Sequence, residues 1–307
     1  MSELRKDYIL DRWVIINPHR SKRPHELSPG EVKREGVCNF CPGNEHLTPP
    51  ESGRIPQNGG WKVRWFDNLY SAVKPEGSPV ETIHNRFFTF ASAFGHHQVI
   101  VETPRHDRQL SDLSEADVAD VLHTYARVIA NLERKENIKY VSVFKNQGLY
   151  GGTSLVHSHS QAIALAKVPP QVEEKLAAMR KFMQCPYCAI VEVERSGARK
   201  CFENSEFLAF TPYASRFNYE VWIFPKKHIA RLDGVDFNAL SKILRRVLRK
   251  INNLDYNMLV FYGPKGDDFH FHIEVCPRVA MWAGFELQSG IIINSVSPEE
   301  AAAFYRE

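Results

Sequence analysis

Three polar side chains spaced two apart, His157, His159 and Gln161 in Val156-His157-Ser158-His159-Ser160-Gln161, are the part of this chain best suited to chemistry. On a helix they would scatter. On a strand, side chains alternate between faces, so both imidazoles and the amide share one side and the two serines take the other. Such a row would span roughly 13 Å of a rigid element. Two imidazoles so placed could hold a metal ion, attack a phosphate, or divide the two tasks between them.

Cysteine offers a second clue. Of the six cysteines, four form two Cys-x-x-Cys pairs, Cys38/Cys41 and Cys185/Cys188. The N-terminal stretch has no apolar signal-peptide core and no run is long enough to span a membrane, so a cytoplasmic protein with reduced thiols is expected. Structural zinc then explains the pairs, because Cys-x-x-Cys turns both thiolates toward one tetrahedral ion. The first set of candidate ligands is Cys38, Cys41, His106 and His157. The second is Cys185, Cys188, His228 and His270, with His272 as an alternative to His270. One or two zinc ions per chain are expected. Cys201 and Cys276 fit neither pattern and are expected as buried or partly buried thiols.

The elements that must position these groups occur twice. Ala91-Ser92-Ala93-Phe94-Gly95, then His97-Gln98-Val99-Ile100-Val101 and Pro104-Arg105-His106, is echoed by Ala214-Ser215-Arg216-Phe217-Asn218, then Tyr219-Glu220-Val221-Trp222-Ile223 and Pro225-Lys226-Lys227-His228. Both copies continue into amphipathic stretches, about 115–135 and 236–252, that predict helices. Each leads to a β-rich run, 139–144 and 258–262, then a glycine-containing turn and a His-x-His, His157/His159 and His270/His272. The order Cys-x-x-Cys, strand, His, helix, strand, His-x-His twice over points to a duplication. The expected fold class is α+β, with two halves at 1–167 and 168–307, each an antiparallel-dominated sheet with a long helix packed on it. Residues 171–183 read as a linking helix, and 28–62, rich in Pro, Gly and Asn, as a long loop that needs an anchor.

A length of 307 residues suits about two domains, and 43% hydrophobic with 24% charged residues is ordinary for a globular protein. A net charge of +3 gives no reason to expect nucleic acid as a partner. Arg245, Arg246, Arg249 and Lys250 read as the solvated face of a helix.

These motifs resemble the galactose-1-phosphate uridylyltransferases and the related ADP-glucose phosphorylase branch, within the histidine-triad superfamily. The resemblance is carried by Asp11-Arg12-Trp13-Val14-Ile15-Ile16 with Arg20-x-x-Arg23-Pro24, by Cys38-Asn39-Phe40-Cys41-Pro42-Gly43, and by Arg64-Trp65-Phe66-Asp67-Asn68-Leu69-Tyr70. Phe144-Lys145-Asn146-Gln147-Gly148, Ser154-x-x-His157-Ser158-His159-Ser160-Gln161, Phe269-His270-Phe271-His272-Ile273-Glu274 and Ala283-Gly284-Phe285-Glu286-Leu287 complete it.

The resemblance implies duplicated histidine-triad-like halves, a homodimer, and transfer of a nucleoside monophosphate by ping-pong kinetics. His159 would be the nucleophile and His157 a metal ligand whose carbonyl orients it. Gln161 would donate to a phosphoryl oxygen, where hydrolases of the superfamily carry a third histidine. Arg20, Arg23 and Asn68 would contact the nucleotide, Asn146 and Ser154 the phosphates, and Glu286 a sugar hydroxyl. The partners would be a nucleoside-diphosphate sugar and a sugar 1-phosphate or inorganic phosphate. The leading expectation is a UDP-glucose–hexose-1-phosphate uridylyltransferase. Ser158, where many uridylyltransferases have proline, and Gly284-Phe285-Glu286-Leu287-Gln288-Ser289-Gly290 keep ADP-glucose phosphorylase as the alternative. A nucleotide hydrolase and a non-catalytic zinc module are the remoter ones.

Overall fold

The computed structural model describes residues 3–10, 12–16 and 37–307. In chain order the strands are β1 Glu3–Lys6, β2 Trp13–Ile16, β3 Glu51–Ile55, β4 Val63–Asp67, β5 Thr82–Ile83, β6 Thr89–Phe90, β7 Gly95–Val101, β8 Tyr140–Gln147, β9 His159–Leu165, β10 Lys200–Glu203, β11 Phe207–Phe210, β12 Val221–Pro225, β13 Tyr256–Phe261, β14 His272–Pro277 and β15 Ile292–Asn294. The helices are α1 Glu115–Leu132, α2 Pro170–Met179, α3 Pro186–Ser196, α4 Phe237–Lys250, α5 Gly284–Ser289 and α6 Pro298–Arg306.

The two long helices form where the apolar spacing places them. Ser114 caps α1 by accepting from the Asp117 N–H, and Val118, Val121, Leu122, Tyr125, Val128, Ile129 and Leu132 make its buried stripe. Asp236 caps α4 through the Asn238 and Ala239 N–H groups, and Leu240, Ile243, Leu244, Val247 and Leu248 are buried. Arg246 and Arg249 face solvent as expected, but Arg245 and Lys250 are half-buried, and Arg245 donates through Nε to the Leu113 carbonyl, which ties α4 to the segment just before α1.

One antiparallel ten-stranded sheet carries both copies of the repeat, in the order β10-β11-β12-β14-β13-β8-β9-β7-β4-β3. Read outward from the central β8–β13 pair, β8-β9-β7-β4-β3 mirrors β13-β14-β12-β11-β10, so like strands occupy like places on either side of a pseudo-twofold axis. The α+β class expected from the sequence is the class observed. Both long helices cover one face, and α1 contacts β4, β8 and β9. The register sets what lies opposite. Phe144 and Val99 flank Gln161, and Val101 flanks His159. Asn68 N–H donates to the His97 carbonyl at 2.7 Å, which places Asn68 beside His97. Asn68, Asn146, His97, His159 and Gln161 therefore share one face, while Lys145, Ser158 and Ser160 share the other.

Three expectations change. The loop at 28–62 is interrupted by β3, paired with β4, while residues 28–36 lie outside the described part. The linking helix ends at Met179, and a further helix, α3, starts directly after Cys185 with Pro186 in its first turn. The His-x-His strands begin at the second histidine of each pair, His159 and His272. Just before each strand, the His157 ring donates to the Thr103 carbonyl (2.7 Å) and the His270 ring to the Pro225 carbonyl (3.0 Å).

Candidate active site and metal centres

Among the described residues, two groups of two cysteines and two histidines bring their donor atoms within 4.8 Å of one another: Cys38, Cys41, His106 and His157, and Cys185, Cys188, His228 and His270. Zinc bonds of about 2.3 Å to sulfur and 2.0–2.1 Å to nitrogen, at tetrahedral angles, would set sulfur and nitrogen roughly 3.6 Å apart. In the first group the Sγ–Nδ1 separations are 3.5 Å for Cys38–His157, 3.5 Å for Cys41–His106 and 3.6 Å for Cys41–His157. In the second they are 3.6 Å for Cys185–His270, 3.4 Å for Cys188–His228 and 3.6 Å for Cys188–His270. Both sets fit zinc in donor type, number and spacing. His270, and not His272, completes the second.

Three of the four candidate ligating rings are also fixed from behind, as metal-bound histidines usually are. His157 donates from Nε2 to the Thr103 carbonyl, His270 to that of Pro225, and His228 Nε2 lies 2.7 Å from Asp268 Oδ1. The first Cys-x-x-Cys loop is held by Arg64, whose side chain is fully buried. Arg64 donates to Thr48 Oγ1 (3.0 Å) and to the Asn39 carbonyl (3.2 Å), and its guanidinium lies over the Phe66 ring. This is the anchor the loop required.

His159 is held so that one nitrogen is unambiguous. Its Nδ1–H donates to the His157 carbonyl at 2.8 Å, which leaves Nε2 as the lone-pair nitrogen. Burial first, then the nearby Lys145 ammonium, hold this imidazole below the usual histidine range, so it is neutral at pH 7. The Phe40 ring, between the two cysteines, packs edge-on against it at 5.4 Å. Beneath β9, Ser158 and Ser160 both donate to Glu102, Tyr125 donates to the same carboxylate at 2.8 Å, and Lys145 reaches Glu102 at 2.7 Å and the His159 carbonyl at 3.2 Å. Glu102 is fully buried. Burial alone would raise its pKa, but the Lys145 charge and hydrogen bond and the two serines bring it below the ordinary value.

The second half repeats the backbone and discards the opening. His272 Nδ1–H donates to the His270 carbonyl at 2.8 Å, matching His159. Its Nε2, however, meets Lys175 Nζ at 2.9 Å, and Lys175 also binds Glu274, which stands where the first half has Gln161. His272 is sealed among Phe224, Phe261 and Phe269.

The remaining expected residues are placed as follows. Asn68 and Asn146 lie on the His159 face. Ser154 is exposed on the loop after Gly148, whose positive φ (+76°) and closeness to Asp255 leave no room for a Cβ. Glu286 is nearly buried on α5, where its carboxylate caps the helix by accepting the Ala283 N–H at 2.9 Å. Its recorded hydrogen bond stays within that turn, and none joins it to His159. Arg20 and Arg23 lie outside the described residues. Phe40, Glu102, Lys145 and His97 were not singled out by spacing. The strand period could have pointed to His97 on the His-x-His face and to Lys145 on the serine face, but the contacts of Glu102 and Phe40 are set by the tertiary fold.

Residues 1–169 match the family model described as galactose-1-phosphate uridyl transferase, N-terminal domain. ADP-glucose phosphorylase of Arabidopsis thaliana is 34% identical over 99% of this chain and 92% of its own length. Galactose-1-phosphate uridylyltransferase of Thermotoga maritima is 31% identical over 100% of this chain and 98% of its own. The crystal structure of an ADP-glucose phosphorylase from Arabidopsis thaliana with bound ADP-glucose superposes with a TM-score of 0.87 at 32% identity, covering 100% of this chain and 98% of that one. With the duplicated sheet and the oriented His159, these similarities show that the chain belongs to the galactose-1-phosphate uridyl transferase family, and is a nucleotidyltransferase.

Proposed function

We propose that the enzyme moves a nucleoside monophosphate from a nucleoside-diphosphate sugar to a second phosphate through a covalent nucleotidyl-His159. The observation that carries this reading is the 2.8 Å bond from His159 Nδ1 to the His157 carbonyl, which leaves a neutral imidazole with its Nε2 lone pair free to attack. In the first step Nε2 forms a bond to the α-phosphorus, and the bond from that phosphorus to the bridging oxygen breaks. The electron pair leaves with sugar 1-phosphate, whose oxygen needs no proton near pH 7. In the second step an oxygen of the acceptor phosphate attacks the same phosphorus and the P–N bond breaks, returning the lone pair to Nε2. An amide at Gln161 suits both steps, since it can hydrogen-bond a phosphoryl oxygen but cannot ferry a proton to water. Arg20, Arg23, Asn68, Asn146, Ser154 and Glu286 remain the proposed contacts of nucleotide, phosphates and sugar.

Zinc at both groups of two cysteines and two histidines would be structural: no ligand is spared for substrate, and the first ion would fix the backbone carbonyl that orients His159. We further infer a cytoplasmic homodimer. No described helix is long and apolar enough to cross a membrane.

Two donor–acceptor pairs fit. UDP-glucose with hexose 1-phosphate is the reading drawn from the motifs. ADP-glucose with inorganic phosphate is favoured by the 34% identical phosphorylase and by Ser158. The test is to incubate the enzyme separately with UDP-glucose and ADP-glucose labelled in the α-phosphate, without acceptor. One of them should leave label on His159 that survives alkali, vanishes in mild acid, and is discharged by its own acceptor. Rapid release of free nucleoside monophosphate instead would make the enzyme a hydrolase.

A further inference from the structure

Gln161 can help a phosphoryl group only if its amide turns nitrogen, and not oxygen, toward it. A neighbour on β7 decides this. The Ala72 backbone N–H lies 3.2 Å from His97 Nδ1, and a backbone amide can only donate. Nδ1 is therefore the ring's acceptor, and Nε2 carries the hydrogen. That Nε2–H lies 2.8 Å from Gln161 Oε1. Turning the amide over would set two donors against each other, so the carbonyl must face the ring and the –NH2 must face away. Gln161 Nε2 has no acceptor among the described residues.

We propose that His97 is a positioning residue that locks the Gln161 amide, so that its –NH2 donates to the transferring phosphoryl group. The inference rests on the nucleotidyl-transfer reading of the site. Burial of His97 keeps its imidazole below the usual histidine range, which preserves the neutral tautomer this arrangement needs.

The same orientation recurs on this face. Asn68 Oδ1 is taken by the Tyr70 N–H (2.9 Å), and Asn146 Oδ1 by Asn257 Nδ2 (2.9 Å). Asn257 is itself held by Arg278 at 2.9 Å. Asn68 Nδ2 lies 3.2 Å from His97 Nε2, a donor beside a donor, so its hydrogens are left for an acceptor from outside. Three amides thus have their oxygens occupied and their nitrogens to offer. That pattern selects a ligand with acceptors only, such as the unprotonated oxygens of a phosphodiester.

A double-mutant cycle on the full-length, metal-loaded enzyme tests the lock. Losing one preorganised donor to a reacting centre costs about 100- to 1,000-fold in kcat. Gln161→Ala should fall in that range. His97→Phe should lower kcat by about 10- to 100-fold, with KM changed less than about threefold, because the amide is released and not removed. The double variant should be no slower than Gln161→Ala alone. His97→Gln, which keeps an N–H donor, should recover part of the loss. Should His97→Phe fail to give a cooperative melt, His97→Ala takes its place in the cycle. Multiplicative losses in the double variant, or an unchanged kcat in the single one, would overturn the role of His97 while leaving the transferase reading intact. A wild-type enzyme unable to transfer from any nucleotide sugar would instead remove the functional reading, and the lock with it.

Discussion

Two histidines with a single residue between them are asked to do different things. His157 offers Nδ1 to the metal group and Nε2 to the Thr103 carbonyl, so both ring nitrogens are committed. His159 commits only Nδ1. His159→Ala should therefore abolish turnover while bound metal stays at the wild-type level by atomic absorption. His157→Ala should release one metal equivalent and lower the melting temperature, because a structural metal site contributes folding free energy directly. Equal metal loss in the two variants would end this division of labour. The grouping of the eight candidate ligands was legible in the sequence, six of them through the local patterns Cys-x-x-Cys and His-x-His, and His106 and His228 through the repeat. The neighbours were not. Nothing in the sequence around His97 says that Ala72 will meet one of its nitrogens and Gln161 the other.

At the scale of elements, β9 is gripped from beneath by charge. Lys145 and Glu102 are both fully buried, and Lys145 joins the carboxylate to the His159 carbonyl. Breaking one side of such a pair typically costs about 3–5 kcal/mol, since it strands a buried charge. Lys145→Met should lose stability on that scale in urea unfolding at pH 7, and kcat should fall as the strand carrying His159 loosens. The pH dependence should also change sign. In the wild type, Glu102 sits below its ordinary value, so its contribution is present above the unfolded carboxylate pKa of about 4.3 and is lost as pH falls through the folded pKa. Without Lys145, burial dominates and raises the folded pKa above the unfolded one. The contribution is then fully present below about pH 4.3 and lost as pH rises through the raised value. The variant should thus recover part of its deficit in mild acid, and a deficit constant from pH 4 to 8 would contradict this account. Helices α1 and α4 and strands β8 and β13 were readable from periodicity, whereas β3 and α3 were missed. Loop-like composition hid β3, whose stability comes from pairing with β4, and a Cys-x-x-Cys read only as a metal motif hid the start of α3.

On the scale of the whole molecule, one sheet holds two copies of the same plan, and the second copy closes over its histidine pair. Duplication was visible in the sequence as paired motifs, but the fusion of both copies through β8 and β13, and the fate of the second histidine pair, required the structure. His272 keeps the orientation of its counterpart, yet Lys175 meets its Nε2 and three phenylalanine rings stack around the imidazole. What the second half retains is its metal group. Its candidate ligands come from the N-cap and first turn of α3, the segment after β12 and the segment before β14, so an ion there would cross-link elements far apart in the chain. Cys185→Ser should therefore lower bound zinc from two per chain to one and reduce the melting temperature, while turnover survives at temperatures where the variant is folded. His272→Phe removes the sealed imidazole but no metal ligand. It should keep both ions, keep kcat within about twofold, and cost some stability as Lys175 loses a partner. A His272→Phe enzyme that folds and binds both ions but has lost turnover would show that the second half takes part in the reaction.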